Sequence, residues 1–379
     1  MASNSNLRAA KTAKNDEFYT QYLDIQKEIN AYIEYNPDVF RDKTVLLPCD
    51  DPEWSNFTKF FVENFKMLGL KKLISTSYAI ESKKIAEWEP SLFETEAPQY
   101  DADKSRTHGK IFVLEGDADG NGRIDSGDLQ WKYLEGDGDF RSDEVKALRD
   151  EADVIVTNPP FSLFREFLAW IVEAGKQFLI VGNQNAITYK EVFPLIKSNK
   201  MWLGKGFTGG AAHFYSPYED KAVAGDHKDG MIRVSGVTWF TSLDHGHRHD
   251  ELQLMSERDN IKYSRHKEVK GIGYHKYDNY DAIDVPFTDA IPSDYLGKMG
   301  VPITFLDKYC PDQFEIIGNG DDVEWLRLVG AGTIGQENID KLRAQGNKAH
   351  VTANMTSLCM TYNGVVSLPY KRIIIRKKQ

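Results

Sequence analysis

The segment Thr157–Glu166, TNPPFSLFRE, sets a neutral acceptor, two prolines and an aromatic ring side by side. Asn158 offers a side-chain oxygen, and Pro159 and Pro160 lack backbone donors but keep their carbonyls. Phe161 adds an aromatic face. This set suits a planar amino group whose lone pair is delocalised into a ring, such as the exocyclic nitrogen of adenine. Hydrogen bonds from its two hydrogens to the Asn158 oxygen and the Pro159 carbonyl would pull that nitrogen toward tetrahedral geometry. The lone pair then becomes available for attack on a methyl cation equivalent. A ring next to the acceptor can stack on a base rotated out of a duplex. Asn-Pro alone is a common turn signal. Other planar nitrogens meet the same chemistry, among them a protein glutamine amide and an RNA adenine, and a non-catalytic DNA-binding relic would keep the motif without using it.

Such a turn must be held by a strand before it and a helix after it. The run Asp153–Thr157 predicts the strand, and Ser162–Gly175 the helix, with Leu163, Phe164, Phe167, Leu168, Ile171 and Val172 recurring on one face. Further strands are expected at Thr44–Pro48, Lys72–Thr76, Lys110–Leu114, Gln177–Gly182 and Gly236–Thr241. Strands alternating with helices predict an α/β fold with a mostly parallel, Rossmann-like sheet, in which ligands bind at the carboxyl ends of the strands. After Thr241 the chain turns polar, basic and aromatic, and apolar runs return from Val301. The expected division is a catalytic domain over 1–241 and a second region over 242–379.

With 379 residues, 41% hydrophobic and 27% charged, the chain has the composition of a folded protein of two or three domains. No apolar run approaches the length of a membrane helix, and the N-terminus lacks a secretory pattern. Cys49, Cys310 and Cys359 are too scattered for a disulfide framework. A soluble, cytoplasmic protein is expected, and a monomer is compatible with the sequence. The net charge is −10, but Glu115–Glu144 alone carries −7, leaving −3 for all other residues. A basic surface for a polyanion can coexist with that balance.

Six segments together resemble the EcoRI-type adenine-specific DNA methyltransferases, which use S-adenosylmethionine. They are NDEFYTQY, CDDPEWSNF, LGLKKLISTSY, EGDGDFRSDE, TNPPFSLFRE and GNQNAITYKEVFPLIK, in that order within the first 200 residues. The resemblance implies methylation of a flipped adenine in double-stranded DNA, by direct displacement and within a restriction-modification system, and a C-terminal target-recognition region. It also implies cofactor contacts at Tyr19 and Thr20, at Asp50 and Asp51 near the cationic amino-acid end, and at Asp139 and Phe140 around the adenine. Nearby carboxylates suit a cation. The loop after Thr44–Pro48 has no glycine, and LISTSY lacks a terminal acid, with Glu81 the nearest candidate.

Three other constellations stand out. Asp117, Asp119, Asn121, Asp125 and Asp128 fall at calcium-loop spacing inside an acidic insertion at about 115–134, with Asp128 where a glutamate is usual. A structural calcium is one expectation there, and a solvated acidic turn the other. His245, His247 and His249 alternate on a loop and are expected at a polar surface rather than on a metal. Arg258, Lys262, Arg265, Lys267, Lys270 and Lys276 interleave with Tyr263, Tyr274 and Tyr277, a composition suited to DNA contact.

Overall fold

The computed structural model describes residues 19–50, 55–79, 92–118, 120–128, 130–207, 211–215, 232–347 and 350–379. The chain forms two compact units, one of Met1–Gln184 with Leu203–Gly246 and one of Asn185–Trp202 with His247–Gln379. The chain enters the second unit over Asn185–Trp202, returns to the first, and passes into the second again at His247.

The first unit begins with β1 (Tyr19–Thr20), α1 (Tyr22–Tyr35), β2 (Thr44–Leu47), α2 (Asn56–Glu63) and β3 (Lys72–Ser77). It continues through β4 (Lys110–Leu114), β5 (Gln130–Tyr133), α3 (Asp143–Glu151), β6 (Val154–Thr157), α4 (Phe164–Glu173) and β7 (Gln177–Asn183). Then come β8 (Trp202–Leu203), β9 (Ala211–Tyr215), β10 (Ile232–Ser235) and β11 (Val237–Thr241). Eight strands join in the order β5-β4-β3-β2-β6-β7-β11-β8, and β1, β9 and β10 form a separate three-stranded sheet.

In the eight-stranded sheet β3, β2, β6 and β7 run parallel, with Val45 opposite both Leu73 and Val154. β4 pairs with β3, and β11 with β7, in antiparallel register. The mostly parallel sheet expected from the sequence is therefore a mixed one. An apolar run marks a strand buried on both faces but carries no information on its direction.

Chain order and sheet order reverse between β2 and β6. The chain steps from β2 outward to β3, then returns to place β6 on the other side of β2. All four positions of β2 and of β6 are buried, so hydrophobic burial fixes this pair at the centre of the sheet. Helix α4 follows β6 after a short turn at Phe161–Leu163 and buries Phe164, Phe167, Leu168, Trp170 and Ile171. It ends at Gly175, whose φ of 64° is the left-handed conformation that favours glycine. Gly182 in β7 has no side chain because the Phe164 ring already fills that space.

The second unit contains α5 (Phe193–Lys197), α6 (Glu257–Tyr263), β12 (His275–Lys276), β13 (Ile283–Asp284) and β14 (Met299–Pro302). After β15 (Phe314–Asn319) and α7 (Val323–Leu328) come α8 (Gln336–Ala344), β16 (Met360–Tyr362), β17 (Val365–Ser367) and β18 (Arg372–Lys377). Its five-stranded sheet runs β12-β13-β14-β18-β15. The apolar tail segment YKRIIIRK supplies an inner strand, with Ile373, Ile374 and Ile375 buried. Beside them the Arg372 guanidinium donates to Asp284 at 2.8 Å, and the Tyr277 hydroxyl donates to the same carboxylate at 2.6 Å.

Candidate active site

Asn158 lies directly after β6, at the carboxyl end of a central strand and beside the reversal between β2 and β6. In open α/β sheets, ligands bind outside the carboxyl ends of the strands at such a reversal. The Asn158 amide nitrogen donates to Thr20 Oγ1 at 3.3 Å, which turns the amide oxygen away from Thr20. Thr20 is itself buried, and its carbonyl accepts from Asn56 Nδ2 at 2.8 Å at the start of α2. The backbone of Tyr19 pairs with Tyr215 in the small sheet. Two segments that sequence spacing keeps far apart are thus brought together.

Pro159 is buried and Pro160 half-buried. The Pro160 carbonyl accepts from the Leu163 amide at 2.9 Å, closing the turn into α4. The Pro160 carbonyl is therefore committed to the fold, whereas the one expected to accept from the amino group is that of Pro159. The Phe161 ring is partly buried and packs against the main core cluster.

Asp50 sits in the loop after β2 and is only 5% exposed. Its carboxylate accepts from Ser55 Oγ at 2.7 Å and from Thr157 Oγ1 at 2.6 Å. Its amide donates to the Thr76 carbonyl at 3.1 Å, stitching this loop to the end of β3. Ser55 also caps α2 by accepting from the Phe57 amide. Asp51 and Glu81 lie outside the described residues.

Segment Glu135–Phe140 crosses the carboxyl end of β3. Gly138, with φ 84°, lies so close to the Ser77 carbonyl that a Cβ would collide with it, and the Ala79 amide donates to the Asp137 carbonyl at 2.7 Å. Asp139 follows directly. Both its oxygens are held by the Arg141 fork, at 2.9 and 2.6 Å, and this hydrogen bonding holds its carboxyl below the usual range. The Phe140 ring is buried edge-on between Phe167 and Trp170 of α4, at 5.1 and 5.7 Å. Its packing in the core was not visible from the spacing of the segment.

The loop Asp117–Asp128 links β4 to β5, and its carboxylates accept from backbone amides. Asp117 accepts from Gly120, Asn121 and Gly122 at 2.7–3.1 Å, and Asp128 from Ala118 and Asp125 at 2.7 and 2.9 Å. Asn121 and Asp125 each cap the amide two residues on. Among the described residues no group of three His, Cys, Asp or Glu side chains gathers to hold a metal, and Asp119 lies outside them.

The histidine loop corrects its expectation in part. His245 is buried, with Nε2 3.0 Å from the Leu203 carbonyl and its ring edge-on to Tyr32. Arg248 is also buried, its guanidinium 3.7 Å from the Trp202 ring centre. His247 alone of these keeps more than half its side chain in solvent.

In the second unit, Arg258, Lys262, Arg265, Lys267, Lys270 and Lys276 are all exposed. Of the three tyrosines among them only Tyr263 is exposed, at 58%, with Lys262 Nζ 4.8 Å from its ring centre. Tyr274 turns inward to donate to the Ala290 carbonyl, and Tyr277 belongs to the core.

Comparison with known proteins identifies the family. The chain matches the family model described as adenine-specific methyltransferase EcoRI over residues 6–378. It is 43% identical over 323 residues to the Type II methyltransferase M.EcoRI of Escherichia coli, a match covering 83% of this chain and 89% of that protein. It is 33% identical over 314 residues to the Type II methyltransferase M.MpnI of Mycoplasma pneumoniae, covering 81% and 83% of the two chains. No solved structure matches the chain. With its Asn-Pro-Pro-Phe turn at the sheet reversal and a family match over nearly its whole length, this chain belongs to the EcoRI family of adenine-specific methyltransferases.

Proposed function

We propose that this chain methylates the N6 amino group of adenine in double-stranded DNA, as the modification enzyme of a Type II restriction system. The observation that carries the reading is the placement of Asn158–Phe161 at the carboxyl end of β6, tied to the neighbouring loop after β2 through Thr157 and Asp50. The central sheet then serves as a Rossmann-like methyltransferase core within 1–241.

The edge where β2, β3 and β6 end has features that suit a cationic cofactor with a planar ring. Asp139, its carboxylate paired with Arg141, stands at the end of β3 where the cofactor's adenine is proposed to lie, and Thr20 flanks Asn158. S-adenosylmethionine bound there would supply the electrophilic methyl group. Thr20 and Asp139 stand at the proposed cofactor wall, Phe140 braces it from the core, the family resemblance adds Tyr19 and Asp51, and Asp50 holds the loop after β2. No step needs a metal ion.

The chain's own residues act on the base. Asn158 Oδ1 and the Pro159 carbonyl accept the two amino hydrogens, which localises the nitrogen lone pair for in-line attack. Both acceptors are rigidly placed before reaction, so they gain strength as positive charge develops on nitrogen. Phe161 packs against the base that leaves the stack.

In the second unit, which covers most of the expected recognition region 242–379, the face of α6 and the turn after it supplies the DNA contact. Arg258, Lys262, Lys267 and Lys270 present charge to phosphates beside the exposed Tyr263 ring. Among the described residues no helix is long and apolar enough to cross a membrane, and a DNA substrate assigns the protein to the cytoplasm.

The test is transfer of a labelled methyl group to duplex DNA, RNA and protein in parallel, followed by mapping of N6-methyladenine in DNA from cells expressing the chain. Label in duplex adenine at one recurring sequence is expected. Label confined to RNA or to glutamine amides would replace this reading, and no label with intact cofactor binding would make the chain a relic.

A further inference from the structure

We propose that Thr157 is a positioning residue for methyl transfer, holding Asn158 in register through the buried carboxylate of Asp50. The inference rests on the reading of Asn158 as the acceptor for the target amino group.

The residue type is the first argument. Val154, Ile155 and Val156 precede Thr157 in β6, and all four positions are buried. A fourth aliphatic residue of the same shape would satisfy that burial, so the hydroxyl needs its own account. It donates to Asp50 Oδ2 at 2.6 Å, across 107 positions of sequence. A short bond to a carboxylate away from water is among the stronger and more directional contacts a side chain can make.

Asp50 is the second argument, because it is fixed from several sides. Its other oxygen accepts from Ser55 at the start of α2, and its amide donates to Thr76 of β3. Its carbonyl accepts from Thr58 of α2 at 3.2 Å and from Ser75 of β3. The carboxylate is therefore a fixed point of the β2–β3–α2 assembly, and the Thr157 hydroxyl fastens the last residue of β6 to it. Asn158 is the next residue. A displacement of the β6 end would move its amide oxygen by a similar distance, and errors near 1 Å in a reacting pair can cost on the order of a hundredfold in rate.

The experiment compares Thr157→Val, Thr157→Ser and Asp50→Asn with the parent enzyme. It measures single-turnover methylation of duplex DNA, cofactor affinity by titration, and the melting curve. Rates are read at a temperature where every variant is fully folded. Thr157→Val is expected to slow the methyl-transfer step at least tenfold with cofactor affinity changed less than threefold, and Thr157→Ser to restore the parent rate. A parent-like rate for folded Thr157→Val would overturn the proposal, as would a Thr157→Ser rate as low as that of the valine variant. If Thr157→Val does not fold, Asp50→Asn is read the same way: a slowed step in folded protein supports the proposal and an unchanged one overturns it. Asn158→Ala runs in the same series. If that variant also methylates normally, the reading of Asn158 fails; if it alone is slow, only the role of Thr157 fails.

Discussion

Asn158 and Thr20, 138 positions apart, meet through a 3.3 Å hydrogen bond from the asparagine amide to the threonine hydroxyl. The contact joins the proposed base-reading residue to the proposed cofactor wall and fixes which end of the Asn158 amide faces each. On the proposed reading, that polarity leaves the amide oxygen to the target base.

Asn158→Ala should lower the single-turnover methylation rate about 10²–10³-fold, the usual cost of one preorganised transition-state contact. Cofactor titration should change little. Asn158→Asp should be milder, since a carboxylate still accepts hydrogen bonds. A rate for the alanine variant within threefold of the parent would refute the assignment.

The face of α6 bears on affinity and its salt dependence. Replacing Lys262, Lys267 and Lys270 together with Ala should weaken DNA binding across all sequences. The slope of log affinity against log salt should flatten by about 2–3 units, because each phosphate contact releases close to one counterion. Fluorescence anisotropy over a salt series measures this directly, and an unchanged slope would place the DNA surface elsewhere.

Glu28 links folding to pH. It is buried, accepts from the Tyr32 hydroxyl at 2.7 Å and from the Lys205 and Gly206 amides at 3.0 and 3.1 Å, and burial pushes its carboxyl up to about 7 despite those donors. The folded chain thus holds this proton more tightly than the unfolded chain, whose glutamate titrates near ~4.3. The contribution to stability is full below that value, declines as pH rises toward 7, and stays lost above it. Glu28→Gln should remove that decline. The difference in Tm between pH 5 and pH 8 should shrink by roughly a few degrees relative to the parent. An unchanged difference would mean that Glu28 does not titrate in this window.

Asp117 separates two accounts of the acidic loop. Its three amide contacts need no ion, so Asp117→Ala should speed hydrogen exchange at Gly120, Asn121 and Gly122 in chelator. If the parent protein melts at the same temperature with calcium and with chelator, the calcium expectation fails. A rise in Tm with calcium alone would restore it.

Much of this architecture could be read from residue order. Strands β2, β3, β4, β6, β7 and β11 all fall on apolar runs, and the helix after Asn158 follows its three- and four-residue spacing. Strand direction was not legible, because the antiparallel strands β4 and β11 are buried on both faces and so carry the near-continuous apolar runs of parallel ones. Nor was the burial of polar side chains. Asp50 and His245 read as ligand-facing or solvent-facing, yet each is buried by partners such as Thr157 and Leu203 that lie far away in sequence. A single sequence records residue types but not the distant donor that makes burying a carboxylate tolerable.

The early passage of Asn185–Trp202 through the second unit makes that unit a discontinuous module. Ile187, Val192, Phe193, Ile196 and Met201 within it are buried. During synthesis these side chains emerge long before the residues that complete their unit, and they must wait for His247–Gln379. Cutting the chain near residue 241 would leave them without the rest of their unit, so the truncated protein should aggregate rather than yield a free-standing catalytic half. On the proposed assignment of target recognition to the second unit, exchanging it between relatives means moving both stretches of chain at once.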